Sequence, residues 1–215
     1  MSSVPVPSDA SAHLVVRPSV LYVGTPAYLV GTQHPDGSPS LAAASSHFAL
    51  GQLLVLGLED DGQTLPNILE HGELTVNFPS ADLWRQVARV AYLTGRDPIP
   101  AEKQPKYRTE PDKFAAASLT PQASDLVAAP RVLECPLQFE AKLRRATPGV
   151  DGGYHMVEAE VVRVHADPSI VVPGTDHIDP NVWDPLVYSF RHFFHRGTEV
   201  GWLPSSPTAG EPSAI

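Results

Sequence analysis

Apolar and polar residues alternate along most of the middle of the chain, which is the pattern of β-strands that bury one face. Residues 27–33 and 40–45 flank the segment His34-Pro35-Asp36-Gly37, and its Asp-Gly end predicts a tight turn between two strands. The uninterrupted apolar run 53–58 predicts a strand buried on both faces. Further alternating strands are predicted over 73–78, 137–144 and 157–162, and the Gly-rich turn 148–153 joins the last two.

Helix signals are few and short. Thr64 is predicted to cap a helix over 65–71 that ends at Gly72. Ser80 or Asp82 is predicted to cap a second helix. The apolar stripe of that helix would hold Leu83, Trp84, Val87 and Val90.

The dipeptide Asp184-Pro185 predicts a third helix, because Asp is a favoured N-cap and Pro a favoured first helical residue. Helical spacing would place five apolar residues on one face of it: Leu186, Val187, Phe190, Phe193 and Phe194. His192 and His195 would lie one turn apart, a spacing that can ligate a metal. No third ligand is evident, so histidines on a polar face are predicted.

The chain of 215 residues is long enough for one sizeable core, and residues 13–202 are predicted to form a single domain. Residues 1–12 and 203–215 are rich in Pro, Ser and Ala and are predicted to be flexible tails. The Pro- and charge-rich stretch 94–126 predicts a long insertion that is either functional or packed around another group. Together, the predicted elements indicate a mainly β, antiparallel barrel with a few short helices. About six strands are too few to enclose a ligand, which is therefore expected outside the barrel or between subunits.

Composition and charge narrow the function classes. Fifteen Lys and Arg against 24 Asp and Glu give a net charge of −9, so no nucleic-acid binding is expected. One of the densest basic groups is interpreted as a solvated face: Lys103, Lys106 and Arg108. Cys135 is the lone cysteine, which rules out an internal disulfide, and it is predicted to be a buried, inert thiol. The sequence lacks an apolar run of membrane-spanning length and an N-terminal signal-peptide pattern, so a cytoplasmic location without a membrane partner is predicted.

Other motifs argue against several kinds of site. Asp176, His177 and Asp179 are too sparse to form a metal-ligand set, and a structured loop is predicted there. Gly-x-Ser-x-Gly does not occur, so no hydrolase elbow is expected. Gly-x-Gly-x-x-Gly is also absent from the sequence, which leaves a Rossmann site unsupported.

Blocks of sequence between about residues 39 and 201 carry a resemblance to a known family. The blocks are Ser40-Leu41-Ala42-Ala43-Ala44-Ser45-Ser46, Gln63-Thr64-Leu65-Pro66-Asn67, Leu74-Thr75-Val76-Asn77-Phe78-Pro79-Ser80, Leu93-Thr94-Gly95-Arg96, Asp112-Lys113-Phe114, Pro173-Gly174-Thr175-Asp176-His177 and Trp183-Asp184-Pro185-Leu186. In order and spacing they resemble the flavin-reductase-like, FMN-binding split-barrel proteins, most of all the flavoredoxin-type subgroup.

The resemblance implies a Greek-key-like split β-barrel, a homodimer, and FMN bound without a covalent link near the subunit interface. It implies hydride transfer from NAD(P)H to FMN and onward to an acceptor or a partner oxygenase. The strand end that lies against the isoalloxazine ring and ribityl chain matches Ala44, Ser45 and Ser46. The turn and helix start that hold the phosphate match Gln63, Thr64 and Asn67. Free N–H groups at a helix N-terminus suit that anion, and no catalytic acid or base is assigned because the cofactor carries the chemistry.

Two departures from the family pattern concern the flavin site. Relatives often carry Asn where Ser40 stands, which removes one expected hydrogen bond. Some reductases place Lys where Gln63 stands, so this phosphate site lacks one positive charge. Lys106 and Arg108 of the insertion are the candidates to replace it.

A third departure concerns the nicotinamide. Monooxygenase-coupled reductases carry Gly-Asp-His at the start of the last long strand, where this chain has Gly152-Gly153-Tyr154. His155 is one residue out of register and is predicted to lie on the other face. An NAD(P)H-dependent flavin reductase is the first hypothesis, and a flavin carrier or a flavin-free interaction scaffold on the same fold are the alternatives.

Overall fold

The elements are taken from a computed structural model that describes residues 15–18 and 21–198. The strands are β1 (Val23–Pro26), β2 (Tyr28–Gln33), β3 (Pro39–Ala44), β4 (His47–Leu50), β5 (Leu53–Glu59), β6 (Glu73–Phe78), β7 (Leu93–Thr94), β8 (Arg108–Thr109), β9 (Pro121–Gln122), β10 (Arg131–Val132), β11 (Leu137–Pro148), β12 (Tyr154–Ala166), β13 (Val187–Ser189) and β14 (His192–Phe194). The α-helices are α1 (Thr64–His71), α2 (Trp84–Val90) and α3 (Lys113–Ala117). The predicted tails 1–12 and 203–215 lie outside the described residues, and the domain bounds 13–202 remain a prediction.

Seven antiparallel strands form the main sheet, in the order β3-β2-β6-β11-β12-β5-β4. The sheet curls so that its two ends meet. The Tyr28 hydroxyl on β2 donates to the carbonyl of Ser46 at 2.9 Å, and the Tyr28 ring lies 5.0 Å from that of His47 on β4. Apolar residues of β2, β5, β6, β11 and β12 share one core inside this curl. The mainly β, split-barrel class expected from the sequence is confirmed.

The first hairpin forms as the turn chemistry predicts. β2 and β3 pair antiparallel, with Gly31 opposite Leu41. Gly37 has a φ of 85°, a left-handed conformation that glycine adopts without strain, and Asp36 accepts the backbone N–H of Ser38 at 2.9 Å. The short loop therefore fixes the register of β3, whose far end reaches the candidate site.

β5 differs from its prediction on one face. Leu54, Leu56 and Leu58 are buried, whereas Leu53 and Val55 are only half-buried. β5 pairs with β12 and with the four-residue edge strand β4, so its second face is incompletely covered. The prediction that this strand is buried on both faces is wrong, because burial depends on what packs over the strand.

The predicted helix over 65–71 is confirmed and ends at Gly72, which has a φ of 69°. Its cap differs, because Gln63 occupies the N-cap position without a side-chain hydrogen bond and Thr64 is the first helical residue. The second helix, α2, follows a 3₁₀ turn over Ala81–Leu83, so neither predicted serine nor aspartate caps it. Of its predicted stripe, three residues are buried, while Trp84 is 40% exposed.

The third predicted helix is wrong, because residues 187–194 form a β-hairpin. β13 pairs with β1 and β14 in a separate three-stranded sheet. The Asp184 carbonyl accepts the N–H of Ala81 at 3.2 Å, and its carboxylate accepts the N–H of Arg196 at 2.9 Å. The predicted cap is thus engaged by distant backbone groups, and His192 and His195 do not share a helix face.

The insertion folds back over the barrel. Apolar residues of α3 pack with those of α2 and β3 in a second core. Beyond α3, the β9–β10 hairpin lies against β2 so closely that a Cβ on Gly31 would stand 2.2 Å from the Pro130 carbonyl oxygen. Glycine is required there because only a missing side chain permits that approach.

Candidate functional site

A cleft of about 300 Å³ lies on the outside of the barrel. The ends of β3 and β5 and the start of α1 form one side of it, and α2, the insertion and the β13–β14 hairpin form the other. Its volume falls at the low end of the range for small-molecule sites. A ligand position outside the barrel agrees with the small number of strands.

The cleft brings together four of the six predicted site residues. Ala44 and Ser45 line it at the end of β3, and Gln63 and Thr64 line it at the start of α1. Two segments that lie almost twenty residues apart in the sequence therefore face the same space. The hairpin register and the curl of the sheet produce this proximity.

Ser46 and Asn67 lie behind the cleft lining. The Ser46 hydroxyl donates to the Tyr22 hydroxyl at 2.9 Å, and Tyr22 lines the cleft. Asn67 is 1% exposed, accepts the Gln63 side-chain N–H at 2.9 Å and donates to the Thr32 hydroxyl at 3.0 Å. Both residues are placed to hold a lining side chain in position.

The charged end of the cleft, defined by Gln63, Thr64, Lys103, Tyr107 and Lys113, lies at the start of α1. The first turn of α1 contains no acidic residue and has no side-chain cap, so its free N–H groups present partial positive charge. Lys103 is 8% exposed and forms a salt bridge with Asp61 at 2.8 Å. Its charge is therefore already balanced within the protein.

Lys113 differs from Lys103 in its partners. It is 4% exposed, and its ammonium donates to the Leu41 carbonyl at 2.9 Å. Among the side chains that the structure describes, no carboxylate forms a salt bridge with it. Burial, with a further contribution from the charge of Lys103, lowers the pKa of Lys113 to about 8. A buried cation without a carboxylate partner makes this end of the cleft a candidate anion site.

The residues predicted to supply the compensating charge lie outside the cleft lining. Lys106 and Arg108 are exposed and do not line the cleft. Lys103, interpreted as part of a solvated face, and Lys113 are the lysines that do. The only sequence signal for Lys113 was its place in the block Asp112-Lys113-Phe114, since no local pattern reveals a buried lysine.

The other end of the cleft is aromatic. Tyr22, Tyr188 and Phe193 line it, with ring centroids 5.5 Å apart for Tyr22 and Tyr188 and 5.4 Å apart for Tyr188 and Phe193. We call these three residues the aromatic wall. The cleft thus offers cations and helix N–H groups at one end and flat apolar surface at the other.

A cluster of candidate metal ligands lies elsewhere on the molecule. Asp125, Glu140 and His165 each bring one ligand atom within 4.8 Å of the others. Glu140 accepts the N–H groups of Asp125 and Leu126 at 2.9 and 2.6 Å and bonds His165 at 2.6 Å, and the Arg131 guanidinium stands 3.7 Å away. With its lone pairs engaged and a cation beside it, this carboxylate serves a hydrogen-bond network and does not suit a metal ion.

Two further sequence predictions concern single residues. Cys135 is 2% exposed, which confirms the predicted burial, and that burial raises the pKa of its thiol. His177 is exposed, and its carbonyl accepts the N–H of Val172 at 2.8 Å, so the structured loop predicted there is confirmed.

Comparison with known proteins decides the family. The sequence model of the flavin reductase like domain matches residues 20–196. The chain belongs to the flavin-reductase-like family. YdfE of Bacillus subtilis is 36% identical over 195 residues, which cover 90% of this chain and 94% of YdfE. Family membership supports a flavin-related oxidoreductase function.

Solved structures show the same split-barrel fold. Flavoredoxin of Desulfovibrio vulgaris (Miyazaki F) is 25% identical with a TM-score of 0.73, and the match covers 93% of this chain and 99% of that one. Nitrilotriacetate monooxygenase component B from Bacillus cereus is 19% identical with a TM-score of 0.70, covering 88% and 98%. The flavoredoxin-type resemblance is confirmed. None of the described helices has the length and apolar character needed to cross a membrane.

The start of β12 lies outside the cleft lining. Gly152 and Gly153 form the turn, and the exposed Tyr154 ring covers Gly149. His155 bonds the Asp60 carboxylate through Nδ1 at 2.6 Å and does not line the cleft. The cleft therefore receives no histidine from this turn.

Proposed function

We propose that this protein is an FMN-binding oxidoreductase that accepts hydride from NAD(P)H and passes electrons to an acceptor or a partner oxygenase. The observation that carries the proposal is Lys113, a buried cation without a carboxylate partner among the described side chains, in a cleft whose other end is aromatic. A ligand with a phosphate for the Lys113 end and an aromatic ring system for the aromatic end would match this cleft.

The residues present fit FMN. The phosphate would lie at the charged end, where Thr64 offers a hydroxyl and a free N–H at the first turn of α1 and Lys113 offers the counter-charge. Gln63, held by Asn67, adds an amide donor. The ring system would lie along Ala44 and Ser45, where small side chains permit close approach. When bound, FMN supplies the redox chemistry, taking a hydride from NAD(P)H with a proton from solvent and releasing two electrons to the acceptor.

The acceptor is proposed by class only. Component B of nitrilotriacetate monooxygenase is named as part of a monooxygenase, which supports an oxygenase partner as one candidate. The protein's own contribution is to bind, orient and desolvate the flavin.

The function is tested by adding FMN to the purified protein, removing the excess by gel filtration and recording the absorbance spectrum. We expect flavin bands to stay with the protein and to bleach when NADH or NADPH is added without oxygen. Retained flavin that neither nucleotide reduces would contradict the reductase. Protein that takes up no FMN would contradict the flavin site as a whole.

A flavin carrier on the same fold is the second candidate. The observation that favours it is His155, which is tied to Asp60 and directs no imidazole into the cleft. A carrier would retain FMN in the same experiment, show no steady-state NAD(P)H oxidation, and release its flavin to a second flavoprotein.

The family resemblance implies a homodimer, and we propose that its interface is the exposed apolar surface beside the cleft. Leu21, Val23, Phe48 and Leu50 are between 60% and 79% exposed, and β4 is an unpaired sheet edge. Light scattering is expected to give twice the mass of 23.1 kDa. Phe48→Glu should shift the mass to the monomer, whereas Leu69→Glu, on the exposed side of α1, should leave it unchanged.

A further inference from the structure

The aromatic wall is built by two distant parts of the chain. Tyr188 and Phe193 are direct cross-strand partners on the β13–β14 hairpin. Tyr22 precedes β1, which pairs with β13. The Phe190 N–H donates to the Tyr22 carbonyl at 2.9 Å, and the Ser46 hydroxyl bonds the Tyr22 hydroxyl. The three rings are thereby fixed to each other and to the end of β3.

The hairpin turn contains two residues in a strained backbone conformation. Phe190 and Arg191 are the two central residues, and both have positive φ, 44° and 71°. A two-residue turn of this kind normally uses Asn-Gly, because other side chains are strained in the left-handed region. The turn fixes the register that sets Tyr188 opposite Phe193. Strained backbone that the surroundings hold in place is characteristic of functional sites.

Adjacent residues of β14 face opposite ways. Phe193 lines the cleft and is half-buried, whereas Phe194 is 52% exposed, stands opposite Val187 and does not line the cleft. Strand alternation thus provides two phenylalanines of the same hairpin, of which only one faces the ligand space.

We propose that the isoalloxazine ring stacks against the aromatic wall, so that Tyr188 and Phe193 select a flat ring system as the ligand. The inference rests on the proposed flavin function. The wall lines the same cleft as Ala44 and Ser45, along which the ring system is proposed to lie. A ring system bound along Ala44 and Ser45 would therefore be within reach of the wall, and stacking between aromatic rings stabilises such a complex.

The test uses the fluorescence of bound FMN and the dissociation constant by titration. In the wild-type protein we expect strong quenching, because a tyrosine ring stacked on a flavin quenches its emission. Tyr188→Leu should restore much of the fluorescence and weaken FMN binding about tenfold, and Phe193→Leu should weaken it by a similar factor. Phe194→Leu is the matched control and should change neither quantity.

Each other outcome overturns the inference in a distinguishable way. If the wild-type protein does not bind FMN, the proposed function fails with it. If FMN binds and Tyr188→Leu and Phe193→Leu leave fluorescence and affinity unchanged, only the stacking inference fails. A raised KM for NAD(P)H with unchanged flavin affinity would assign the wall to the nicotinamide. An equal effect of Phe194→Leu would make the hairpin a structural support only. If Tyr188→Leu does not fold, Phe193→Leu decides alone.

Discussion

Lys113→Met is expected to weaken FMN binding about 100-fold while leaving riboflavin binding unchanged. The loss follows from removing the charged partner of a buried phosphate, which costs about 2–3 kcal/mol. Riboflavin lacks the phosphate and gains nothing from the lysine. Titration calorimetry with both flavins gives the two constants directly.

The ligand-free protein should respond in the opposite direction. Lys113 is 4% exposed, and burial lowers its pKa to about 8, so holding it charged at neutral pH opposes folding. Lys113→Met should therefore raise the urea midpoint of the ligand-free protein at pH 7. A variant that is more stable yet binds FMN poorly would place the lysine in ligand binding. Lys106→Met, an exposed lysine of the same insertion, is the matched control for both measurements.

The same lysine predicts a pH profile. Below pH 8 the ammonium is charged before FMN arrives, so affinity stays level down to about pH 6, where the phosphate dianion takes up a proton and becomes a monoanion. Above pH 8 the free protein must take up a proton to bind, and the dissociation constant should rise towards tenfold per pH unit. The stability of the ligand-free protein should change in the opposite direction. Its free energy of unfolding should increase as pH rises from about 8 towards 10.5, because the buried lysine loses its charge in the folded state. A flat FMN profile from pH 7 to 9.5 would exclude Lys113 as the phosphate partner.

Glu140→Gln is expected to lower the free energy of unfolding by about 3–5 kcal/mol at pH 7. The Glu140 carboxylate is fully buried on β11 and accepts the N–H groups of Asp125 and Leu126. It also neutralises Arg131, whose side chain is buried too. Glutamine would direct an NH₂ group at one of these donors and leave the guanidinium without its counter-charge. Urea denaturation gives the difference.

Acid should remove the same stabilisation. Burial alone would raise the pKa of Glu140, but the two backbone N–H groups and His165 overcome it, and the pKa lies below its ordinary value. Its contribution is therefore complete above the ordinary glutamate pKa of about 4.3 and is lost as pH falls through the lower folded value. The gap between wild type and Glu140→Gln should close in that range. Glu158→Gln, which breaks a surface pair with Arg145, should cost no more than about 1 kcal/mol. Equal losses for the two variants would disprove the buried role.

Local sequence determined most of the barrel. Alternation and turn residues fix the β2–β3 hairpin, since Gly37 supplies a conformation that other residues resist. Gly72 ends α1 for the same reason. Signals of this kind depend on residues close in the sequence, so they can be interpreted without knowledge of the tertiary structure. The order of short motifs indicated the family. The family resemblance in turn indicated six site residues, and the fold brings four of them into one cleft.

Tertiary structure decided what local signals could not. Asp184 and Pro185 carry good helix-start chemistry, yet backbone pairing with residues a hundred positions earlier converts the segment into the hairpin that bears Tyr188 and Phe193. Glu140 lies on the predicted polar face of β11 and is buried only because residues 121–132 fold over it. The local sequence around Lys113 is typical of an exposed lysine. Its burial depends on α3 packing against β3, and the free energy of a buried charge is set by what surrounds it in space.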